Sequence, residues 1–356
     1  MRHLHAVVST SYPVMPVAAV RVAIGAIATI RGVAAYWVMW PLTDSQIVKV
    51  PFVAWLPAPT PVVLAVVLGV WVVAAGCFAV GFRTRLSGTI LAVAMAVALF
   101  VDQQAYSNHL YLLIVIVGLL VLAGPAGALS IDAKRGTPAA PANWAVVLIK
   151  LQITVVYLFA AATKVNATYL AGSVLSAQIG KGLIPATWAA QSSALMRWTA
   201  ITSVVLEVVI GVYLWHPHRR FVAVGAGVLL HGGITLLMPS PVLLVLFSAI
   251  MLSSYLLFIP PGVGGRWVQA PFALAARLRR HDLLNVLDVG DGVSLTTRRN
   301  SEHTGWAALV HICDELPASY LAAPFMRLVP ARWAQQRWLT AQIPGNAASG
   351  RDSSSG

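Results

Sequence analysis

Long apolar runs, each interrupted by a short polar or proline-containing stretch, recur through the first 260 positions of the chain. Eight of them approach the roughly 20 residues a helix needs to cross a bilayer. They lie near 17–40, 62–81, 86–101, 107–124, 144–163, 199–215, 220–238 and 241–259. Several are short, so tilt or packing against neighbours must help. DQQAYSN joins the third run to the fourth and PSP joins the seventh to the eighth. Such short links make antiparallel hairpins. Residues 165–198 are too polar to span and too apolar for a free linker, which predicts short interfacial helices. After Pro260-Pro261 and the glycines up to Gly265 the pattern becomes that of a small soluble unit. The expected fold is an all-α polytopic transmembrane bundle of about eight helices over 1–264. A small basic cytoplasmic domain or tail follows over 265–340, with a disordered end over 341–356. No internal repeat is visible.

Composition agrees with the pattern. The 356 residues are 58% hydrophobic and only 10% charged, with mean hydropathy +0.79. A soluble domain carries about 25% charged residues, so an integral membrane protein is expected, with the lipid bilayer as its first partner. The start, MRHLHAVVSTSYPVM, lacks the apolar core of a cleavable signal peptide. Cys77 lies in an apolar run and Cys313 in the polar tail, which makes no disulfide framework.

The formal net charge of +13 could suggest a nucleic-acid partner, but none is expected, because loop charge explains it. Arg2, Arg83, Arg85, Lys134, Arg135, Arg219 and Arg220 fall on one side of the eight-run layout. Lys49, Lys164, Lys181 and Arg197 fall on the other. The excess places both termini in the cytoplasm of a multi-pass cell-membrane protein. Lys164 and His109 are then at the extracytoplasmic end.

Ionisable groups at membrane depth are costly and face the bundle interior or a polar cavity. Here they are Arg21, Arg31, Lys150, Glu207 and His231, with Asp102, His109 and Lys164 at the edges. Arg21, Glu207 and Lys150 read as structural charges, with Glu207 a partner for Arg21, Arg31 or Lys150. Lys150, Tyr157 and Lys164 are seven apart, close to two turns, so they share one helix face, with Gln152 nearby. His231 reads as a packed polar group or a ligand contact. Ser107-Asn108-His109 reads as a cap and first helical turn. The positive helix end there favours a neutral imidazole that can donate to developing negative charge. Lys164 has no acid within forty positions except Asp132. Desolvation without a carboxylate favours the neutral amine, which can act as a base. A snorkelling or ion-paired lysine is the structural alternative.

AAVRVAIGAI, DQQAYSNHLYLL, QITVVYLFAAATKVNATYLAG, VVLEVVIGVYL and LLHGGITLLMPSPVLLVLFSAIMLSSYLLF occur in this order over about residues 15 to 260. Together they resemble the membrane part, called the HTTM domain, of the vitamin K-dependent gamma-carboxylase family. The resemblance implies that Lys164 deprotonates a reduced quinone of vitamin K or menaquinol type. It implies that His109 supports this step, and that Asn108, Tyr111, Gln152, Tyr157 and His231 belong to the substrate site. No metal is expected. The chain departs from the family in three ways: Thr163 replaces the first of two adjacent lysines, Asn166 replaces an acidic neighbour, and no large extracytoplasmic domain follows. Shorter HTTM proteins are closer in architecture, including the membrane component that matures a bacterial sporulation-delaying peptide toxin. Residues 304–341 also resemble the end of the DCC thiol-disulfide oxidoreductase-like family, without its redox cysteine.

Three function classes follow. The first is a carboxylase-like, quinol-dependent lyase at the extracytoplasmic face. The second is a non-catalytic membrane component for maturation or export of a peptide or protein partner. The third is a small-solute transporter.

Overall fold

A computed structural model describes residues 12–52, 59–124, 126–136, 140–180, 192–216, 219–237, 241–258, 266–270, 272–281, 287–291, 296–298, 302–313 and 326. The expected disordered end at 341–356 lies outside these residues, as do Lys181 and most of the tail. The chain divides into two compact units, Met1–Pro260 and Pro261–Gly356.

In the first unit the apolar runs become helices with bounds close to those expected. They are α1 Val14–Met39, α2 Pro61–Val80, α3 Thr84–Phe100, α4 Asn108–Ala123, α5 Asn143–Lys164, α6 Ser193–Tyr213, α7 Arg220–Leu237 and α8 Pro241–Ser254. Four segments are long and apolar enough to cross a membrane: Val14–Thr43, Pro61–Val80, Asn143–Lys164 and Ser193–Tyr213. α3, α4, α7 and α8 are shorter apolar helices. Between α5 and α6 the described residues form two short helices, Ala167–Leu170 and Ser173–Gly180.

Local chemistry sets the helix ends. Thr60 accepts from the Val63 amide and Pro61 occupies the first turn of α2, while Gly81, at φ 68°, closes it in the left-handed region. Asp132 caps α3 from the loop after α4. It accepts from the Arg83 amide (2.9 Å), the Thr84 amide (2.7 Å) and the Thr84 hydroxyl (2.6 Å). A carboxylate at a helix N-terminus satisfies free amides and meets the positive dipole end.

Each helix packs on its neighbours in the chain, and α8 packs back on α1, which closes the bundle. Close approach needs small residues. A Cβ on Gly25 of α1 would sit 2.6 Å from the Ala79 Cα of α2. Trp71 of α2, fully buried, donates from Nε1 to the Ala28 carbonyl at 2.9 Å.

The second unit corrects the all-α expectation. It holds β1 Arg266–Ala270, α9 Phe272–His281, β2 Leu287–Asp291, β3 Thr296–Arg298, β4 Glu302–Thr304 and α10 Gly305–Cys313. The sheet order is β2-β1-β3-β4, with β1 parallel to β2 and antiparallel to β3. Strands of three to five residues among arginines carry too little alternation to be read as strands. Cys313 is buried at the end of α10.

Candidate functional site

α5 supplies the axis of the site. Its buried face carries Ile149, Lys150, Ile153, Tyr157 and Ala161, three and four residues apart, and ends at Lys164. Lys150, Tyr157 and Lys164 do share this face, but they have different surroundings.

Lys150 lies at the end of α5 away from Lys164. Its ammonium sits over the rings of Tyr12 (4.9 Å), Phe258 (5.5 Å) and Trp215 (5.7 Å). Aromatic faces stabilise a desolvated cation there. Glu207 is not its partner. Arg21, fully buried in α1, donates to the Leu129 carbonyl. Arg31 Nη1 is buried without a hydrogen-bond partner among the described residues. So the expected pairing of Glu207 with Arg21, Arg31 or Lys150 is overturned.

Glu207 of α6 pairs instead with Lys164 of α5. The expectation of an unpaired amine is corrected by the same contact. Forty-three positions separate the two, and the packing of α5 on α6 brings them together. The pair is asymmetric, with the Lys164 side chain 29% exposed and that of Glu207 5%. One Glu207 oxygen holds the amine; the other, Oε2, is buried without a hydrogen-bond partner among the described residues. Tyr169 places its ring 5.7 Å from the ammonium and its hydroxyl 2.9 Å from the Ser203 hydroxyl.

Two turns inward from Lys164, Tyr157 is the hub of a buried network. Its hydroxyl lies 2.6 Å from His231 Nε2 of α7 and 2.5 Å from the hydroxyl of Tyr255, just after α8. His231 is 2% exposed, and its Nδ1 has no hydrogen-bond partner among the described residues. Gly227 makes room for Tyr255, since a Cβ there would lie 2.3 Å from the Tyr255 hydroxyl. Phe247 of α8 extends the seam, with ring centroids 5.6 Å from His231 and 4.3 Å from His109. Arg31 of α1 acts electrostatically on His109, and Glu207 on Tyr157. Ring contacts and hydrogen bonds therefore link His109, Phe247, His231, Tyr157 and Tyr255, with Arg31 and the Glu207–Lys164 pair within electrostatic reach at the two ends.

Other expected site residues are placed differently. Asn108 and Tyr111 are exposed, and Gln152 is half-buried with no hydrogen bond given to it. Ser107 holds the N-cap position of α4 without a side-chain cap bond. Sequence reasoning missed Tyr255, Phe247 and the orphan oxygen of Glu207. Tyr255 had a weak signal, as a polar aromatic closing an apolar run; Phe247 had none.

A bundle of apolar helices, four segments of which are long and apolar enough to cross a membrane, with a buried polar seam, fits an integral membrane protein. The sequence profile of the HTTM domain matches residues 11–262, and the chain belongs to that family. Comparisons with curated proteins and with solved structures return no match.

Proposed function

We propose that this HTTM protein is a membrane enzyme that takes a proton from a reduced quinone of vitamin K or menaquinol type, in chemistry like that of the gamma-carboxylases. The observation that carries the reading is the Lys164–Glu207 pair, with one carboxylate oxygen bound to the amine and the other buried and free. Orphaned polar atoms on Glu207 and His231, with the Phe247 ring beside His231, fit a flat aromatic ring bearing hydroxyls.

A reduced quinone supplies an acidic hydroxyl on an apolar ring. Glu207 Oε2 is the acceptor within the protein. Lys164, held on Oε1, keeps the carboxylate oriented and offers a route for the proton to the exposed edge of the bundle. Tyr157 and His231 donate or accept at fixed positions, because Tyr255 anchors the Tyr157 hydroxyl. His109 lies at the first turn of α4, where the helix end favours a donor to negative charge. Both termini are assigned to the cytoplasm. Cysteines at Ser45 and Ser173 should label from outside intact cells and one at Lys134 should not.

The test is turnover of reduced menaquinone under air by the full-length protein in lipid nanodiscs, with dissolved O2 taking the electrons of the deprotonated quinol. Wild type should consume quinol, and Glu207→Gln should lose it by about 10²-fold or more, the scale of a positioned base. Lys164→Arg keeps a cation on Glu207 but cannot pass a proton, so it should also lose turnover. Wild-type activity in both variants would overturn the reading.

A second reading has its own support. An ion pair between α5 and α6 is also what a structural lysine would make. A non-catalytic component that matures or exports a peptide would then bind peptide with no quinol turnover. A small-solute transporter would carry solute across vesicles instead. For the second unit, the mixed sheet with a parallel β1–β2 pair supports a folded domain over a helical tail. That agrees with the DCC-like resemblance.

A further inference from the structure

Arg31 stands in the interior of the bundle with 6% of its surface exposed. Its Nη1 is buried without a hydrogen-bond partner among the described residues. Arginine stays protonated, and an uncompensated buried charge is strongly disfavoured. The fold must supply an anion or leave room for one.

The acids of the first unit are engaged elsewhere. Residues 1–260 contain four, Asp44, Asp102, Asp132 and Glu207, and all four are described. Asp44 accepts from the Gln46 amide. Asp102 accepts from the amides of Val50 and Gln104. Asp132 caps α3, and Glu207 holds Lys164. The other buried cations of this unit are compensated: Arg21 has the Leu129 carbonyl and the charge of Asp132, and Lys150 has three rings. Arg31 has none of these among the described residues.

Its surroundings suit a ligand. α1, which carries Arg31, packs on α4 and on α8. α4 contributes His109, on which Arg31 acts, at the helix end that attracts negative charge. α8 contributes Phe247, in ring contact with His109. A cation, a neutral donor at a helix N-terminus and an aromatic wall make a site for a planar anion on an apolar body.

We propose that Arg31 anchors a carboxylate-binding site in the interior of the bundle, shared with His109 and walled by Phe247. The planar guanidinium fork matches the two oxygens of a carboxylate. The inference shares His109 and Phe247 with the site of the proton-transfer reading, but it concerns binding at α1 and is tested without turnover, so either can fail without the other.

The experiment measures ligand-dependent thermal stabilisation of the full-length protein in neutral-lipid nanodiscs, without quinol. Three probes carry the same group from different sources: acetate, decanoate, and N-acetylglutamate α-amide. Inorganic phosphate and chloride are the controls. At least one carboxylate should raise the midpoint saturably. Response to acetate marks a free small anion, to decanoate alone an amphiphile from the bilayer, and to the glutamate amide alone a peptide side chain. Arg31→Lys keeps the charge but loses the fork, and should weaken that response about tenfold. Arg31→Met should abolish it while folding at least as well as ligand-free wild type, since the uncompensated charge is gone. If Arg31→Met does not accumulate, the wild-type and Arg31→Lys titrations decide. The proposal is overturned by a response to no carboxylate, by an equal response to phosphate or chloride, or by an undiminished response in Arg31→Lys or Arg31→Met.

Discussion

Lys164 on α5 and Glu207 on α6 are ion-paired, and the carboxylate is the buried partner. Two helices that could slide against each other in an apolar medium are thereby held in register. In lipid, packing and polar contacts take over from hydrophobic collapse as the link between helices.

The pair predicts a specific energetic pattern. Lys164→Met leaves the Glu207 carboxylate buried and alone. It should cost about 2 kcal/mol, below the ~3–5 kcal/mol of a fully buried pair because Lys164 is partly solvated. Lys164→Met with Glu207→Leu should recover most of that loss. Unfolding of all variants in mixed micelles gives the coupling; strictly additive losses would show that the contact holds nothing together.

Gly227 controls the hub at Tyr157. A methyl group there would press on the Tyr255 ring, with Cε2 at 2.6 Å and the hydroxyl closer still. Gly227→Ala should destabilise by about 1–3 kcal/mol, the usual cost of overpacking. Combined with Tyr255→Ala it should add almost nothing to the loss from Tyr255→Ala alone. A full additional loss in the double variant would place the strain elsewhere.

The α1–α2 contact makes a second steric prediction. Gly25→Ala drives a methyl into Ala79 backbone, which has no rotamer to yield, and should cost about 1–3 kcal/mol. Gly69 of α2 has nothing within 4 Å of an added Cβ. Gly69→Ala should therefore be neutral in the same thermal assay, so the two glycines of one helix pair separate close packing from helix propensity.

Asp132 predicts the acid limit of this loop. Partial burial tends to raise its carboxyl. The Thr84 hydroxyl, the Thr84 and Arg83 amides and the nearby Arg135 outweigh that and hold it below the usual carboxylate value. A lowered folded-state value means stability that is present above the unfolded value and lost as pH falls through the folded one. Wild type should lose stability over that acid window, and Asp132→Asn should start lower and be flatter there. Parallel pH profiles for the two proteins would remove the role assigned to the cap.

Much of the architecture was legible along the chain. Apolar runs mark helices because a backbone in lipid must satisfy its hydrogen bonds within the segment. The Pro61 start and Gly81 end of α2 follow from backbone geometry alone. The seven-residue spacing on α5 placed Lys150, Tyr157 and Lys164 on one face because helical periodicity is local. The small sheet was not legible, since its strands are short and their pairing is long-range.

The sequence alone determined that this is a membrane protein of apolar helices, with few acids and a polar face on α5. Which charge meets which was decided only by tertiary structure. On paper Glu207 was offered to Arg21, Arg31 or Lys150 and Lys164 was read as unpaired, because nothing in linear order says which helices become neighbours. The packing of α5 on α6 gives it to Lys164, and Arg31 of α1 stays buried with Nη1 unpartnered among the described residues. Hydrophobicity is a property each residue carries by itself, whereas an ion pair requires two side chains within a few ångströms, a distance that only the folded bundle sets.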